Sequence, residues 1–300
     1  MRFSLAVFFC LVTGSANAQV PPQSGHDRTF WREIVAHQYQ IPDGQAVMPL
    51  ALELAAFVGS PDPELRDSFG YEILANWIHR GGKFSADDLD MLRRTFLPQV
   101  LVGIGESGTD TVFRRSFALL NLKELAASDL RIPFLSRTDF DGLVELAVKA
   151  FRAEKDNRGY IAEKGWAHAT AHGADLLRIL ARNDKLSLSQ QSQLLAAIVT
   201  RVRAATSVFV WGEDARLAAA LASLANRPDF DPILFDAWFV ALRAENLRLW
   251  REPFDAESYA RVRVQVNTLT HLAALVARQN DPAFPVKLRD ALQSTLAAVN

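Results

Sequence analysis

The stretch GWAHATAHGADLLRIL, residues 165–180, contains side chains that could bind a metal ion or a polar ligand. His168, His172 and Asp175 follow one another at intervals of four and three residues. On a helix, residues at these intervals lie within an arc of about 60° and share one face. Two imidazoles at i and i+4 can ligate one ion, and a carboxylate one turn further can complete the site. One interpretation of this face is therefore a divalent metal site, with zinc as an example.

The residues between the two histidines argue against a zinc protease. They are Ala, Thr and Ala, so the glutamate that acts as general base in H-E-x-x-H is missing. A third strong ligand would have to come from Asp175, Glu154, Asp156, Glu213 or His271, and nothing in the sequence brings any of the last four near the histidines. Two other interpretations stay open. The histidines are hydrogen-bonded packing residues, or their face lines a groove for a bound partner.

The helix that carries this face is predicted over residues 161–182, with contacts on two sides. An apolar stripe is expected to face the core and consists of Trp166, Gly173, Leu176, Leu177 and Leu180. A narrow strip of small residues would allow close approach of a second helix and consists of Ala167, Ala171 and Ala174. The polar face lies between these two contacts. We therefore predict that it lines a groove and is not part of the outer surface.

Two further polar clusters are candidates for the rim of this groove. EKDNRGY, residues 154–160, is predicted to be a tight turn in which Asp156 accepts hydrogen bonds from nearby amides. WGEDARL, residues 211–217, places carboxylates at a helix start, where the helix dipole favours them. The predicted groove residues are Glu154, Asp156, Arg158, His168, His172, Asp175 and Glu213. The metal alternative uses His168, His172 and Asp175, whereas the binding interpretation needs no cofactor.

Helical spacing of apolar residues extends along the whole chain after residue 26, and strand alternation is nearly absent. Ser85, Ser136 and Ser187 each precede a polar side chain by three residues, as at helix N-termini. The predicted helices span residues 27–40, 45–58, 63–80, 86–103, 110–127, 137–154, 161–182, 188–206, 213–226, 231–250, 256–279 and 283–298. About twelve helices in antiparallel pairs predict an all-α fold, either a HEAT-like α/α solenoid or a compact α/α bundle. Residues 19–300 are predicted to form a single domain.

Residues 1–18 have the features of a secretory signal peptide. Arg2 supplies a positive start, FSLAVFFCLV an apolar core, and SANA a cleavage site after Ala18. The mature protein is therefore expected in the periplasm or outside the cell, and no later run is apolar enough to span a membrane. The single cysteine, Cys10, is removed with the signal. This excludes thiol nucleophiles, thiolate metal ligands and disulfides from the mature chain.

Composition and charge argue against nucleic acid as a partner. The chain has 300 residues, of which 49% are hydrophobic and 22% charged, and its formal net charge is −1. These values are typical of a soluble globular protein with a sizeable core. The sequence has no block dense in Lys and Arg, so it lacks the charge that binding to nucleic acid requires.

Four segments resemble the bacterial family known as domain of unknown function 2785. They are DSFGYEILANWI (67–78), TDTVFRRSFALLNL (109–122), EKDNRGYIAEKGWAHATAHGADLL (154–177) and GEDARLAAAL (212–221). The resemblance implies an all-helical, HEAT-like arrangement but no activity. It draws attention to Glu154, Asp156, Arg158, Gly159, Gly165, Trp166, His168, His172 and Asp175.

The sequence favours a non-enzymatic function. We expect an exported helical-repeat domain that binds a protein, a peptide or a cell-envelope component in the polar groove. The alternative is a metal-dependent hydrolase that uses His168 and His172. Adjacent carboxylates at residues 87–88 and 213–214 leave a glycosidase as a further possibility, because helical-hairpin barrels host such enzymes.

Overall fold

The computed structural model describes residues 25–80, 82–279 and 284–299. The predicted signal peptide, residues 1–18, lies outside the described residues. The described residues are mostly helical, with a single two-stranded hairpin. This confirms the all-α prediction, while the choice between solenoid and bundle stays a prediction. Among the described helices, none is both long and apolar enough to cross a membrane.

The described part of the chain contains eleven α-helices. They are α1 (Arg28–Ala36), α2 (Val47–Phe57), α3 (Ala86–Phe96), α4 (Thr111–Asp129), α5 (Arg137–Ala153), α6 (Ala169–Leu180), α7 (Leu188–Arg203), α8 (Glu213–Ala225), α9 (Asp236–Leu249), α10 (Ala256–Gln279) and α11 (Val286–Val299). The 3₁₀ turn Leu97–Leu101 follows α3, and the 3₁₀ turn Pro232–Phe235 precedes α9. Between α2 and α3, residues Glu64–Ile73 and Asn76–Arg80 form π-helical turns, which we call the π segment. Strands β1 (Tyr160–Ile161) and β2 (Gly165–Trp166) pair antiparallel.

Local sequence signals place most helix starts correctly. Ser85 and Ser187 form capping boxes with Asp88 and Gln190, and each caps the first turn of its helix, α3 and α7 respectively. Ser136 accepts a hydrogen bond from the third amide of α5. These side chains replace helical partners that the first amides lack, so the boundary is set within four residues of sequence.

The prediction of a helix over residues 161–182 is wrong in its first turns. The chain forms the β1–β2 hairpin there, and α6 begins only at Ala169. Glu163, Gly165 and His168 have φ angles of 65°, 74° and 51°, in the left-handed region that a right-handed helix cannot contain. The amides of Ala167 and His168 donate to carbonyls of the preceding turn instead, at 2.8 and 3.1 Å. Trp166 therefore lies on a strand and is not part of the apolar stripe of a helix.

Four helical elements form a row in which each runs parallel to its neighbour. Tyr71 of the π segment contacts Glu124 of α4. Ser116, near the start of α4, contacts His172 near the start of α6, and Asp129 at the end of α4 contacts Asn183 just after α6. Helix α8 continues the row beside α6, while α5 and α7 pack together in a second layer. The parallel order brings the N-terminal ends of α4, α6 and α8 to one edge of the row.

Helix α4 is buried along nearly its whole length, including several polar side chains. Because a buried polar group is costly without a hydrogen bond, α4 must find partners on the surrounding elements. Arg115, Ser116 and Glu124 all do so, and their partners lie in the regions that the sequence analysis singled out.

Candidate functional site

His168 lies at the junction between the hairpin and α6. Its ring stacks on Trp166, with a centroid distance of 4.6 Å and an interplanar angle of 21°. Its Nε2 donates to the carbonyl oxygen of Trp211 at 3.1 Å and lies 3.6 Å from Oε1 of Glu213. Burial lowers the pKa of His168 below its ordinary value, although Glu213 opposes this shift. The side chain therefore joins the hairpin to the start of α8.

His172 is buried between α4 and α6. The hydroxyl of Ser116 donates to the carbonyl oxygen of Ala167, so it accepts a hydrogen bond from Nδ1 of His172 at 2.7 Å. The ring also meets the edge of Phe117, with centroids 5.0 Å apart. Burial holds the pKa of His172 well below its usual value, and the nearby His168 adds to this effect. A neutral imidazole with these contacts is a packing residue, as one of the sequence interpretations proposed.

Glu154 and Asp156 belong to a buried network of ion pairs. Glu154 accepts two hydrogen bonds from the guanidinium of Arg115, at 2.5 and 3.0 Å, and both side chains are almost fully buried. Asp156 accepts hydrogen bonds from Arg158 and from the amide of Gly108. Burial raises the pKa of Asp156, but the hydrogen bonds from Arg158 and Gly108 and the charge of Arg158 together outweigh burial and keep the pKa below its ordinary value.

Arg201 of α7 connects this network to α6, and the sequence analysis did not single it out. Its guanidinium donates to the carbonyl oxygens of Glu154 and Asp156, at 2.7 and 3.2 Å, and to the hydroxyl of Thr170. Burial lowers its pKa to about 10. The turn at 154–158 is thus held by its backbone as well as its side chains. No local sequence pattern indicates these contacts, because Arg201 is more than 30 residues from each of its partners.

The described residues contain no group of three or more His, Cys, Asp or Glu side chains arranged to hold a metal ion. The predicted ligands His168, His172 and Asp175 are bonded instead to Trp211, Ser116 and Arg216 respectively. Since a metal would have to replace these partners, the arrangement gives the metal alternative no support.

Tyr160 and Trp166 of the hairpin form an exposed aromatic cluster with Trp211, which lies just before α8. Trp166 meets Tyr160 and Trp211 edge to face, with centroid distances of 5.3 and 5.7 Å. All three side chains are exposed, which corrects the expectation that Trp166 faces the core. Trp211 lies directly over Gly159, where a Cβ atom would be 2.1 Å from its Cδ1. Glycine at this position is therefore required for close approach, not for an unusual φ angle.

A polar cavity of about 670 Å³ opens beside Asp175. Its walls come from three neighbouring elements of the row, the π segment, α4 and α6, and from the turns that follow α4 and α6. We call this cavity the groove. Its polar lining residues include Tyr71, Glu72, His79, Lys123, Glu124, Arg131, Asp175, Arg178 and Arg182. Of the seven predicted groove residues, Asp175 alone belongs to this lining.

Glu124 is the main buried charge of the groove. Its Oε1 accepts hydrogen bonds from the hydroxyl of Tyr71 at 2.9 Å and from Lys123 at 2.5 Å. The Nδ1 atom of His79 lies 4.0 Å from Oε2 of Glu124 and has no hydrogen-bond partner. Burial raises the pKa of Tyr71, and the charge of Glu124 raises it further. The phenol therefore stays protonated and remains a donor.

Asp175 forms an ion pair with Arg216 of α8 at the edge of the groove. Burial raises the pKa of Asp175, and the positive charge of Arg216 limits the shift. By contrast, Arg131, Arg178 and Arg182 line the groove, and their guanidinium groups have no hydrogen-bond or ion-pair partner in the described parts of the chain. The groove thus combines internally paired groups with groups that are free to bind.

Residues 100–276, more than half of the chain, match the family model described as protein of unknown function (DUF2785). The chain belongs to this family. Comparison with curated proteins and with solved structures gives no match.

The DUF2785 match extends from the end of the 3₁₀ turn before α4 into α10. It therefore includes the hairpin, the buried network and two of the three groove elements. The π segment, with Tyr71 and His79, lies before the matched residues. Tyr71, His79 and Glu124 were not among the groove residues predicted from the sequence. Only the presence of 67–78 among the segments that resemble the family pointed toward the first of these.

Proposed function

We propose that this DUF2785 protein is an exported domain that acts by binding an extended segment of a protein or peptide in the groove. The main support for this proposal is the cavity of about 670 Å³ between three parallel elements, which is lined by both hydrogen-bond donors and acceptors. Its volume falls within the range of roughly 300–1,000 Å³ typical of ligand sites. A peptide main chain presents alternating N–H and C=O groups, and a mixed polar lining suits it better than an apolar slot would.

The unpaired groups of the groove support this proposal. The guanidinium groups of Arg131, Arg178 and Arg182 are exposed and have no partner among the described residues. The buried Nδ1 atom of His79 also lacks a hydrogen bond, although such atoms are usually satisfied. A bound polar segment would supply acceptors for the arginines and a partner for the imidazole.

The π segment adds a second line of support. π-Helical turns are rare, occur mostly as single-turn bulges, and are frequent at functional sites. Here they extend over residues 64–73 and 76–80, and this segment carries Tyr71, Glu72 and His79 into the groove. A wide helix that forms one wall of a cavity is consistent with a binding role for that wall.

Export of the protein is part of the proposal and rests on residues 1–18 alone. The apolar core of about ten residues and the SANA cleavage site support it. A partner would accordingly be an envelope or extracellular protein, or a peptide derived from one.

The test uses a phage-displayed dodecapeptide library, selected against the mature protein immobilised at neutral pH. Ala75 lines the groove, and Ala75→Trp would fill part of it with an indole. Ala196→Trp, on the exposed face of α7, is the matched control. Affinity of the selected peptides is measured by isothermal titration calorimetry.

We expect selected peptides to lose at least about tenfold in affinity with Ala75→Trp, because each missing contact of about 1.4 kcal/mol costs that factor. Ala196→Trp should leave affinity unchanged. If the library yields no binder, or if both variants bind the peptides as the wild type does, the groove is not the binding site.

A further inference from the structure

Exposed apolar side chains are concentrated on α9 and the turns that flank it. Ile233, Val240, Leu247 and Phe254 recur at intervals of seven residues: Val240 and Leu247 lie on α9, Ile233 in the 3₁₀ turn before it, and Phe254 with Trp250 in the segment after it. These five are exposed by 53–69% and form a third of the fifteen large exposed hydrophobic side chains in the described residues. Single exposed apolar residues are ordinary, whereas a continuous stripe marks an interaction surface.

The stripe is not required by the core of its own chain. Helix α9 already buries its opposite face, with Trp238, Phe239, Leu242 and Leu249, and it packs on α10 and α11. An amphipathic helix normally presents polar residues on its remaining face. In α9 that face carries apolar residues as well, so the helix has a second contact surface without an occupant in the described chain.

Large and small residues alternate along this second surface. Ala237 and Ala244 are exposed and lie between Ile233, Val240 and Leu247, which gives the repeat of 3.5 residues found in paired helices. Two copies of α9 aligned antiparallel about a two-fold axis near residue 242 place Val240 opposite Ala244 and Leu247 opposite Ala237. Each large side chain then faces a small one. In a parallel pair, large residues would face large ones and alanines would leave voids.

The charges of α9 favour the same direction. Asp231 and Asp236 lie at its start, and Arg248, Arg251 and Glu252 lie at its end, where Arg248 is 3.9 Å from Glu252 and Arg251 leaves a net positive charge. Antiparallel pairing brings the acidic end of one copy beside the basic end of the other, while parallel pairing would bring like charges together. The formal net charge of −1 imposes no strong repulsion between two copies.

The area available is sufficient for a weak specific interface. Side chains of these sizes and exposures present on the order of 600 Å² per copy, or about 1,200 Å² for a symmetric pair. This is the lower limit of the range for specific protein interfaces, where dissociation constants are commonly micromolar.

We infer that this surface binds a second copy of the chain, and that the protein forms a two-fold symmetric dimer through antiparallel α9 helices. The interface is isologous, because the same stripe is used by both copies. The groove between the π segment, α4 and α6 uses none of these residues, so the two inferences are independent.

The first test is sedimentation velocity of the mature protein from about 2 to about 200 µM, a range that spans micromolar dissociation constants. Leu247→Glu places a charge in the centre of the stripe and should raise the dimer dissociation constant at least about tenfold. Leu188→Glu is the matched control, because Leu188 is exposed by 62% at the first residue of α7. A monomer throughout the range, or a dimer that Leu247→Glu leaves intact, overturns the inference.

The second test distinguishes interlocking helices from nonspecific adhesion of an apolar patch. Ala244→Leu adds apolar area, so it should strengthen a nonspecific contact. In the antiparallel pair the added leucine would collide with Val240 of the second copy, and dimerisation should weaken at least about fivefold. Stronger association of Ala244→Leu contradicts the proposed packing.

Cysteine cross-linking tests the direction in the mature protein, residues 19–300, which contains no cysteine of its own. Residues 233 and 251 face each other in the antiparallel pair, whereas the two copies of residue 233 are separated by roughly 27 Å. A mixture of Ile233→Cys and Arg251→Cys chains should therefore form a disulfide-linked dimer, and Ile233→Cys alone should not. The reverse pattern would establish a parallel pair and overturn the inference. Circular dichroism of each variant confirms that it is folded.

Discussion

The hairpin end of the row and the groove contain similar residue types, but they differ in whether their charged side chains are paired. At the hairpin end, the charges of Arg115, Glu154 and Asp156 are buried and each has an opposite charge as its partner. In the groove, Arg131 and Arg178 are exposed and have no partner among the described residues. Paired charges in a low-dielectric interior hold elements in place, whereas unpaired charges at a surface remain available to a ligand. The buried charges at the hairpin end thus mainly hold neighbouring elements together.

Loss of one partner in the buried network should give the largest effect on stability. Arg115→Ala leaves Glu154 buried without its bidentate partner, so we expect a loss of about 3–5 kcal/mol in the free energy of unfolding. The measurement is urea denaturation followed by circular dichroism. Arg137→Ala, which breaks an exposed pair with Asp141, is the control and should cost less than about 1 kcal/mol. Equal losses in the two variants would show that burial does not distinguish these pairs.

Gly159→Ala should have the next largest effect. Its Cβ would overlap the indole of Trp211 near the base of that side chain, so Trp211 must move. We expect a loss of about 1–3 kcal/mol and a weaker near-ultraviolet circular dichroism signal from the aromatic cluster. Gly142→Ala has open space around the new methyl group within α5 and should gain up to about 1 kcal/mol. A gain at both positions would mean that Trp211 adapts freely.

The low pKa values of His168 and His172 predict a pH dependence of stability. The unfolded chain binds protons near the ordinary histidine pKa of about 6.5, whereas the folded chain does so only at lower pH. The contribution of these two histidines to the free energy of unfolding is therefore complete above about pH 6.5. It is lost as the pH falls toward their pKa values in the folded state. The raised pKa of Asp175 acts oppositely, because its folded form binds a proton more readily than its unfolded form.

The melting temperature, measured by scanning calorimetry between about pH 8 and pH 5, should accordingly decrease on acidification. His172→Gln should reduce this dependence, while His37→Gln, at an exposed position after α1, should not change it. A profile that is identical in wild type and His172→Gln would remove His172 as its source.

The smallest effect on stability is expected in the groove. Arg178→Ala removes an exposed side chain that makes no hydrogen bond or ion pair among the described residues, so the free energy of unfolding should change by less than about 0.5 kcal/mol. Affinity for peptides selected by the wild type should nevertheless fall about tenfold, since charge-assisted hydrogen bonds are among the stronger ones. Arg152→Ala, another exposed arginine, on α5, is the control for both measurements. A large loss of stability in Arg178→Ala would show that this groove residue, like the buried network, mainly stabilises the fold.

Local signals in the sequence predicted the helices well and the hairpin badly. The starts of α3, α5 and α7 follow from capping residues within one turn, which act wherever the helix packs. The hairpin was missed because its residues keep a helical spacing of apolar side chains. The left-handed backbone at Glu163, Gly165 and His168 prevents the helix, and of these three residues only the glycine is of a type that commonly adopts this conformation.

The sequence by itself determined the helical class, most helix boundaries and the set of polar residues that tertiary contacts can use. Those properties depend on interactions between residues at most one or two turns apart. The tertiary structure decided which polar groups are paired, since Arg115 meets Glu154 across 39 residues and Tyr71 meets Glu124 across 53. It also gave the three residues first noticed different environments, although the rings of His168 and His172 stay in edge-to-face contact with centroids 5.6 Å apart. His168 joins the hairpin to α8, His172 is buried, and Asp175 lines the groove, because packing of neighbouring helices, not spacing along one helix, sets the environment of each side chain.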